Sequence, residues 1–169
     1  MFSLLKPFRF LAKALTAQAS ARELALGFAI GAVVGLVPKG NLLAIALMMV
    51  LGSLRVNLGA GMASAFLFSW VGMLLDPISH KIGQFVLTAN VLEPMWTWMF
   101  NKPVIPWTAF NNTIVMGSFL SGLLLVYPLY KVSEPLFAKY APPLAERLQK
   151  FKITKLLLGT EWAGRIGSA

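Results

Sequence analysis

The sequence has no cysteine and a single histidine, His80. Without cysteine there can be no disulfide, no thiolate metal site and no cysteine nucleophile. One histidine is too few for a histidine-rich zinc site. The six carboxylates are dispersed along the chain, so no local acidic pair is available for metal binding or acid–base chemistry. We therefore expect no metal and no cofactor.

Charge is also scarce, at 12% of the 169 residues, whereas 57% are hydrophobic. A soluble domain carries about 25% charged residues, and its apolar share is about 45–50%. A mean hydropathy of +0.72 confirms this bias. The composition excludes an ordinary soluble enzyme or a nucleic-acid-binding domain, despite the net charge of +9. It predicts an all-α integral membrane protein with two to four crossings, and no nucleic-acid partner.

The first apolar stretch predicts a helical hairpin over residues 21–54. Ser20 and Glu23 fit a capping box that starts a helix running to about Val37. The sequence Pro-Lys-Gly-Asn at 38–41 then breaks this helix, and a second apolar run follows. The two arms would be about 25 and 20 Å long, shorter than the roughly 30 Å hydrocarbon core. We favour a re-entrant hairpin, with two short full crossings as the alternative.

Two longer apolar runs predict transmembrane spans at 58–75 and 113–130, which together with the hairpin make up a membrane domain over residues 20–131. Asp76-Pro77 is expected to end the first span, and a more polar helix should follow over 77–88. Residues 77–107 are predicted to form a periplasmic interfacial segment that carries three tryptophans: Trp96, Trp98 and Trp107.

Both ends of the chain are basic. Residues 1–19 fit an amphipathic interfacial helix, for which packing on the protein's own cytoplasmic face is the alternative. Residues 132–169 fit a basic cytoplasmic tail with a second surface helix. When both termini are placed in the cytoplasm, 12 of the 15 basic residues lie on that side. This positive-inside pattern predicts a multi-pass protein of the bacterial inner membrane.

Three glycines spaced four apart, Gly27, Gly31 and Gly35, lie on one stripe of the first helix. Glycine lets helix backbones approach closely, which is the main source of attraction between helices in lipid. We predict that the stripe packs against another helix of this chain; the alternative is a subunit interface in a homo-oligomer.

Four polar residues at the two ends of the second hairpin arm are candidates for binding an anionic lipid headgroup or a partner: Lys39, Asn41, Arg55 and Asn57. A lysine at the bilayer centre costs about 2.5–3.5 kcal/mol, so Lys39 would need water, a carboxylate or a phosphate. The alternatives are a solvated loop lysine at the tip, and interfacial anchoring and helix capping at Arg55 and Asn57.

Asp76 and His80 are four residues apart and form a candidate polar pair on one helix face. The favoured interpretation is instead that Asp76 caps a helix whose first residue is Pro77. Residues 111–113, Asn-Asn-Thr, are likewise expected to cap the last span rather than to bind a ligand.

A series of these motifs resembles the bacterial membrane family called domain of unknown function twenty sixty-two. The matching segments are Gly-Phe-Ala-Ile-Gly at 27–31, Gly35, Pro38, Gly40, Leu-Arg-Val-Asn at 54–57, Asp76-Pro77 and Gly83. The sequences Phe-Asn-Asn-Thr at 110–113 and Gly117-Ser118 resemble one subgroup, found in bacteria with an outer membrane and encoded in a two-gene pair with a larger protein. Many family members have Asn-Pro in place of Asp76-Pro77. The resemblance implies an inner-membrane location and a protein partner.

These patterns lead to an expected function. The chain is predicted to be a non-enzymatic inner-membrane subunit that anchors or gates a larger envelope protein in lipid or envelope-component transport. Its partners would be anionic membrane lipids and the larger protein encoded alongside. One alternative is a small oligomeric channel or transporter built around a re-entrant hairpin. A third hypothesis is a lipid-modifying membrane enzyme that uses Asp76 and His80.

Overall fold

A computed structural model describes the backbone of residues 19–150 and the side chains of residues 19–143. Over this range every regular element is a helix, which confirms the all-α part of the predicted fold class. The α-helices are α1 (Ala21–Leu36), α2 (Leu42–Ser53), α3 (Leu58–Leu87), α4 (Glu93–Phe100) and α5 (Thr113–Lys150). Short 3-10 helices lie at Asn90–Leu92 and Ile105–Thr108. The predicted helix at 1–19 and the end of the predicted tail, 151–169, fall outside the described residues, apart from residue 19.

Helix α1 begins with the predicted capping box. The backbone N–H of Glu23 donates to Ser20 Oγ at 3.2 Å, and the backbone N–H of Ser20 donates to Glu23 Oε2 at 2.9 Å. Ten of the 16 residues of α1 are buried, more than in any other helix whose side chains are described throughout. Helix α1 is therefore the centre of the fold.

The helices α3 and α5 pack on both sides of α1. Helices α1 and α3 run in the same direction, since Gly27 lies beside Asn57 and Gly31 lies beside Gly61. Helix α5 runs antiparallel to α3, and the two meet where Gly83 lies against Gly117. The Phe28 ring joins all three helices, because its centroid is 5.9 Å from those of Phe68 and Phe137.

Helix α2 folds back along α1, so the pair forms a hairpin. The chain returns to the start of α1, because the backbone N–H of Asn57 donates to the Glu23 carbonyl at 3.1 Å. We call this end the base and residues 37–41 the tip. At the tip end, Leu36 lies against Gly72 of α3, about 22 Å along the axis from Asn57. Helix α3 is about 45 Å long, so the hairpin reaches only part of its length.

The prediction that Asp76-Pro77 ends the first span is wrong, as is the interpretation of Asp76 as a helix cap. Helix α3 continues through Pro77 to Leu87. A proline inside a helix removes one backbone hydrogen bond, which need not end the helix when neighbouring helices hold both halves. Here Ser79 and Gly83, just beyond Pro77, pack against Gly117 of α5. Residues 77–87 of the predicted interfacial segment are therefore part of α3.

Helix α5 also runs further than the predicted span of 113–130. It continues to Lys150 and contains four prolines, at positions 128, 135, 142 and 143. The predicted boundary between span and tail, near residue 131, does not interrupt the helix. The polar residues that suggested a boundary, such as Lys131 and Glu134, lie on a continuing helix.

Two helices, Leu58–Leu87 and Thr113–Pro143, are long and apolar enough to cross a membrane. In the most apolar 18-residue stretch of each helix, only 33% and 28%, respectively, is buried inside the chain. Large apolar side chains therefore cover the outside of both helices, and Leu74 and Leu124 are about four-fifths exposed. A soluble monomer seldom exposes so much continuous apolar surface. Both observations are consistent with a membrane protein.

We call residues 88–112, which join α3 to α5, the distal segment. The Trp96 side chain is anchored, because its indole N–H donates to the Val86 carbonyl at 3.2 Å and its ring lies 6.1 Å from that of Phe110. Trp98 and Trp107 are mostly exposed. Part of the distal segment folds back over the hairpin: Ala109 packs with Val37, Ala44 and Val115 in a small core cluster.

Candidate functional site: the hairpin tip and the cleft beside it

Lys39 closes the carboxyl end of α1. Its ammonium donates to the carbonyl oxygens of Val34, Gly35 and Val37, the last two at 3.1 and 2.7 Å. The final carbonyls of a helix have no partner within the helix, and a lysine nearby can satisfy them. An ammonium has three N–H donors, so the backbone accounts for all of them. Lys39 is therefore an integral part of the tip.

The carbonyl acceptors of the tip and the negative end of the α1 helix dipole favour the charged form of Lys39.

Asn41 organises the other half of the tip. Its Oδ1 accepts from the backbone N–H of Ala44 at 2.9 Å and caps α2, while its Nδ2 donates to the Pro38 carbonyl at 2.8 Å. Gly40 makes the turn, with φ of +93°, a conformation that glycine adopts without strain. Together with the contacts of Lys39, these hydrogen bonds provide partners within the chain for the irregular backbone of the tip.

A cavity of about 300 Å³ lies between the tip and the middle of α3. Lys39 and Asp76 both line it, together with Ser69 and Gly72. No ion pair joins the two charged groups among the described residues. Asp76 nevertheless faces the tip, which is a location that its sequence position beside Pro77 did not indicate.

A second cavity, of about 410 Å³, lies between α2 and α3. We call it the α2–α3 cleft. Its walls include Met48 and Leu51 from α2 and Met62 and Phe66 from α3, with Lys39 at the tip end. Met48, Met62 and Phe66 are each about half exposed or more, so the cleft opens sideways to the surroundings. Sequence analysis missed it, since the apolar residues of α2 gave no periodic pattern that would separate an inner from an outer face.

The base of the hairpin holds the other two candidate residues, and they differ in kind. Asn57 is buried, and its Oδ1 accepts from the backbone N–H of Ala60 at 2.8 Å, so it caps α3 as the capping interpretation predicts. Arg55 is exposed, and its guanidinium makes no hydrogen bond or ion pair among the described residues. The predicted set of four thus separates into a tip pair and a base pair, about 18 Å apart along the 12 residues of α2.

The glycine stripe packs against α3 of the same chain. A Cβ atom added at Gly27, Gly31 or Gly35 would lie 2.4, 2.1 or 2.6 Å from an α3-side backbone carbonyl oxygen. These positions therefore require glycine. The intramolecular interpretation is confirmed for the stripe.

A second close approach, between α3 and α5, was not predicted. A Cβ atom at Gly83 or Gly117 would lie 1.8 Å from a backbone oxygen of the opposite helix. The available signal was the pair of small residues four apart in each helix, Ser79 with Gly83 and Thr113 with Gly117.

Asp76 and His80 do not contact each other as a polar pair. His80 Nδ1 lies 2.6 Å from Thr113 Oγ1 and joins α3 to the start of α5, whereas Asp76 lines the tip cavity. Asn112 accepts from the backbone N–H groups of Ile114 and Val115, so it caps α5 as expected. In the described part of the chain, no group of three or more His, Cys, Asp or Glu residues could hold a metal ion.

Comparison with known proteins identifies one similar chain and no family. A protein of Treponema pallidum (strain Nichols), itself uncharacterized, is 27% identical over 122 residues, which cover 72% of this chain and 75% of that protein. No family model matches the chain, and no solved structure matches it. The similarity indicates a relative of comparable length, but it brings no activity to either chain.

Proposed function

We propose that this chain is a non-enzymatic subunit of the bacterial inner membrane that anchors or gates a larger envelope protein in lipid or envelope-component transport. In this proposal α3 and α5 cross the bilayer. Helices α1 and α2 re-enter from the cytoplasmic side without crossing, and both termini are cytoplasmic.

The observation that carries the proposal is the self-sufficient tip. Irregular backbone at membrane depth is tolerated only where its polar groups find partners in protein or in a water-filled cavity. Lys39 and Asn41 supply such partners within the tip, and Val37 and Ala44 are covered by Ala109 and Val115. These features support a hairpin that ends inside the membrane.

The distribution of basic residues supports the orientation. With the base on the cytoplasmic side, Arg22 and Arg55 lie at that membrane surface, where positive residues are favoured. In this orientation only three of the 15 basic residues lie away from the cytoplasmic side. Two of them, Lys81 and Lys102, lie at the distal end of the molecule.

The partner follows from the family resemblance, which implies a larger envelope protein encoded alongside. The lipid role follows from Arg55, whose guanidinium is unpaired among the described residues and lies at the proposed cytoplasmic surface. A guanidinium binds phosphate oxygens well because its donors match their geometry.

A co-purification experiment tests this function. Tagged chain is expressed in its host with the larger protein encoded alongside, and Arg55→Ala is compared with the matched variant Lys102→Ala. We expect the larger protein to co-purify with wild type, and Arg55→Ala, but not Lys102→Ala, to alter the phospholipid distribution of the envelope. If the larger protein does not co-purify and neither variant alters the envelope lipids, the proposal is wrong.

Reconstitution distinguishes a subunit from a channel. Liposomes that contain the chain alone should show no ion flux above that of protein-free liposomes. Flux that requires the chain would contradict the proposal and favour a small oligomeric channel or transporter.

A further inference from the structure

The lining of the α2–α3 cleft is apolar, as expected of a site that binds a hydrocarbon chain. Carbon-rich side chains from both helices line it: Met48, Leu51, Met62 and Phe66. At Gly52, which also lines the cleft, an added Cβ atom would meet nothing within 4 Å. At about 410 Å³, the cleft falls in the range of pockets that bind small ligands.

The two ends of the cleft differ in the charge that they offer. At the tip end, the Lys39 ammonium is directed to the carbonyls of α1, so its methylene stem is available to an apolar occupant. At the base end, Gly52 and Leu58 line the cleft on either side of Arg55 in the sequence. The nearby carboxylate of Glu23 already accepts from Ser20, so the Arg55 guanidinium has no carboxylate partner among the described residues.

The length of the cleft matches one leaflet of a bilayer. It runs beside α2, whose 12 residues are about 18 Å long. One leaflet makes up half of a hydrocarbon core about 30 Å thick. A lipid with its headgroup at the base would therefore have its chain end near the tip.

From these three observations we propose that the α2–α3 cleft holds one acyl chain of an anionic glycerophospholipid whose phosphate is bound by Arg55. The inference rests on the proposed re-entry of the hairpin from the cytoplasmic side. It specifies the class of ligand for the proposed lipid role and assigns different roles to the two ends of α2. Arg55 binds the headgroup, and Lys39 forms part of the cleft wall.

Photo-crosslinking tests the proposal directly. The purified full-length chain is inserted into phosphatidylcholine vesicles that contain a small fraction of phosphatidylglycerol with a photoactivatable group on its acyl chain. Labelled residues are then identified by mass spectrometry. We expect labelling to concentrate on Met48, Met62 and Phe66, and to exceed labelling of the outward-facing Leu74 and Phe85.

Two variants with one control sharpen the test. Gly52→Phe adds a ring to the open side of the cleft and should abolish most cleft labelling. Ala46→Phe adds the same ring to the opposite, exposed face of α2 and should leave labelling unchanged. Arg55→Gln should weaken phosphatidylglycerol labelling about fivefold, the effect of one basic residue at an anionic surface. Equal unfolding midpoints establish that the variants are folded.

The outcomes separate this inference from the proposed function. Labelling of Leu74 and Phe85 with no excess in the cleft, unaffected by Gly52→Phe, would overturn the inference and leave the membrane location intact. Absence of labelling anywhere on the chain would overturn both.

Discussion

At the scale of single residues, Lys39 shows how a charge can be structural rather than exposed for a ligand. Its ammonium donates to backbone carbonyls at the end of α1, so a phosphate would have to compete with the fold for the same donors. Arg55 carries the same charge, and among the described residues it makes no such contact. The difference between the two residues lies in three-dimensional packing, and their sequence contexts do not reveal it.

Removing the Lys39 ammonium should destabilise the protein. In Lys39→Met the apolar stem is retained, but carbonyl oxygens at the end of α1 lose their donor, and we expect a loss of about 2 kcal/mol in the free energy of unfolding. Lys102→Met is the control, because Lys102 is exposed and only lies over the Trp98 ring at 4.7 Å. Unfolding by SDS in mixed micelles measures both. Equal losses in the two variants would contradict the structural role of Lys39.

Glycines provide a second contrast between positions that look alike in the sequence. Gly31→Ala places a methyl group 2.1 Å from the Gly61 carbonyl oxygen, so α1 and α3 must move apart, at a cost of about 1–3 kcal/mol. Gly52→Ala meets nothing within 4 Å and should leave stability unchanged or raise it by up to about 1 kcal/mol, through helix propensity. Thermal unfolding in detergent compares them. A Gly31→Ala variant as stable as Gly52→Ala would disprove the close approach of α1 and α3.

At the scale of secondary-structure elements, α2 is far less buried by the rest of the fold than α1. Its buried residues are Ala44 and Leu51, one near each end, whereas burial in α1 extends along the whole helix. Local stability generally follows such packing. A helix with so few buried residues can move relative to α3, and this would change the width of the cleft.

Amide hydrogen exchange should reveal this difference. Backbone amides in the middle of α2, residues 46–50, should exchange at least about tenfold faster than those of α1 at 28–33, because opening α2 exposes few buried contacts. Exchange of the detergent-solubilised chain, followed by peptide mass spectrometry, measures both segments in one sample. Protection of α2 equal to that of α1 would indicate a rigid hairpin and a cleft of fixed width.

The elements also show which parts of the fold the sequence could predict. Capping residues at Ser20, Asn41 and Asn57 define helix starts through local chemistry, and these starts were predictable. The passage of α3 through Pro77 was not, since it depends on the contact of Ser79 and Gly83 with a helix 30 residues further along the chain. The backbone hydrogen bond that a proline removes can be predicted from the sequence. The packing between helices that compensates for this loss cannot be predicted in the same way.

The candidate site divides in the same way. Lys39, Asn41, Arg55 and Asn57 could be selected because polar residues are rare in this chain. Their roles, and the position of Asp76 beside the tip, required the fold. The cleft itself could not be predicted. It lies between two apolar helices, and their sequences do not indicate which of their faces pack together and which leave a gap.

At the scale of the whole molecule, two long helices and a short hairpin lie side by side along a common direction. The base brings the start of α1, the end of α2 and the start of α3 to one level through the contact of Asn57 with Glu23. The tip reaches only the middle of α3, near Gly72. If α3 crosses a bilayer from the base, this arrangement leaves the tip within the hydrocarbon region, where its internal hydrogen bonds are required.

The most direct test of the proposed architecture is the accessibility of the tip. The chain has no cysteine, so a single cysteine at Pro38 can be compared with one at Ser53 near the base and one at Asn90 in the distal segment. In intact cells, a membrane-impermeant maleimide should label only Asn90→Cys from the periplasmic side. In inverted membrane vesicles it should label only Ser53→Cys, and Pro38→Cys should be protected in both. Labelling of Pro38→Cys from the periplasmic side would contradict the re-entrant hairpin and establish two full crossings.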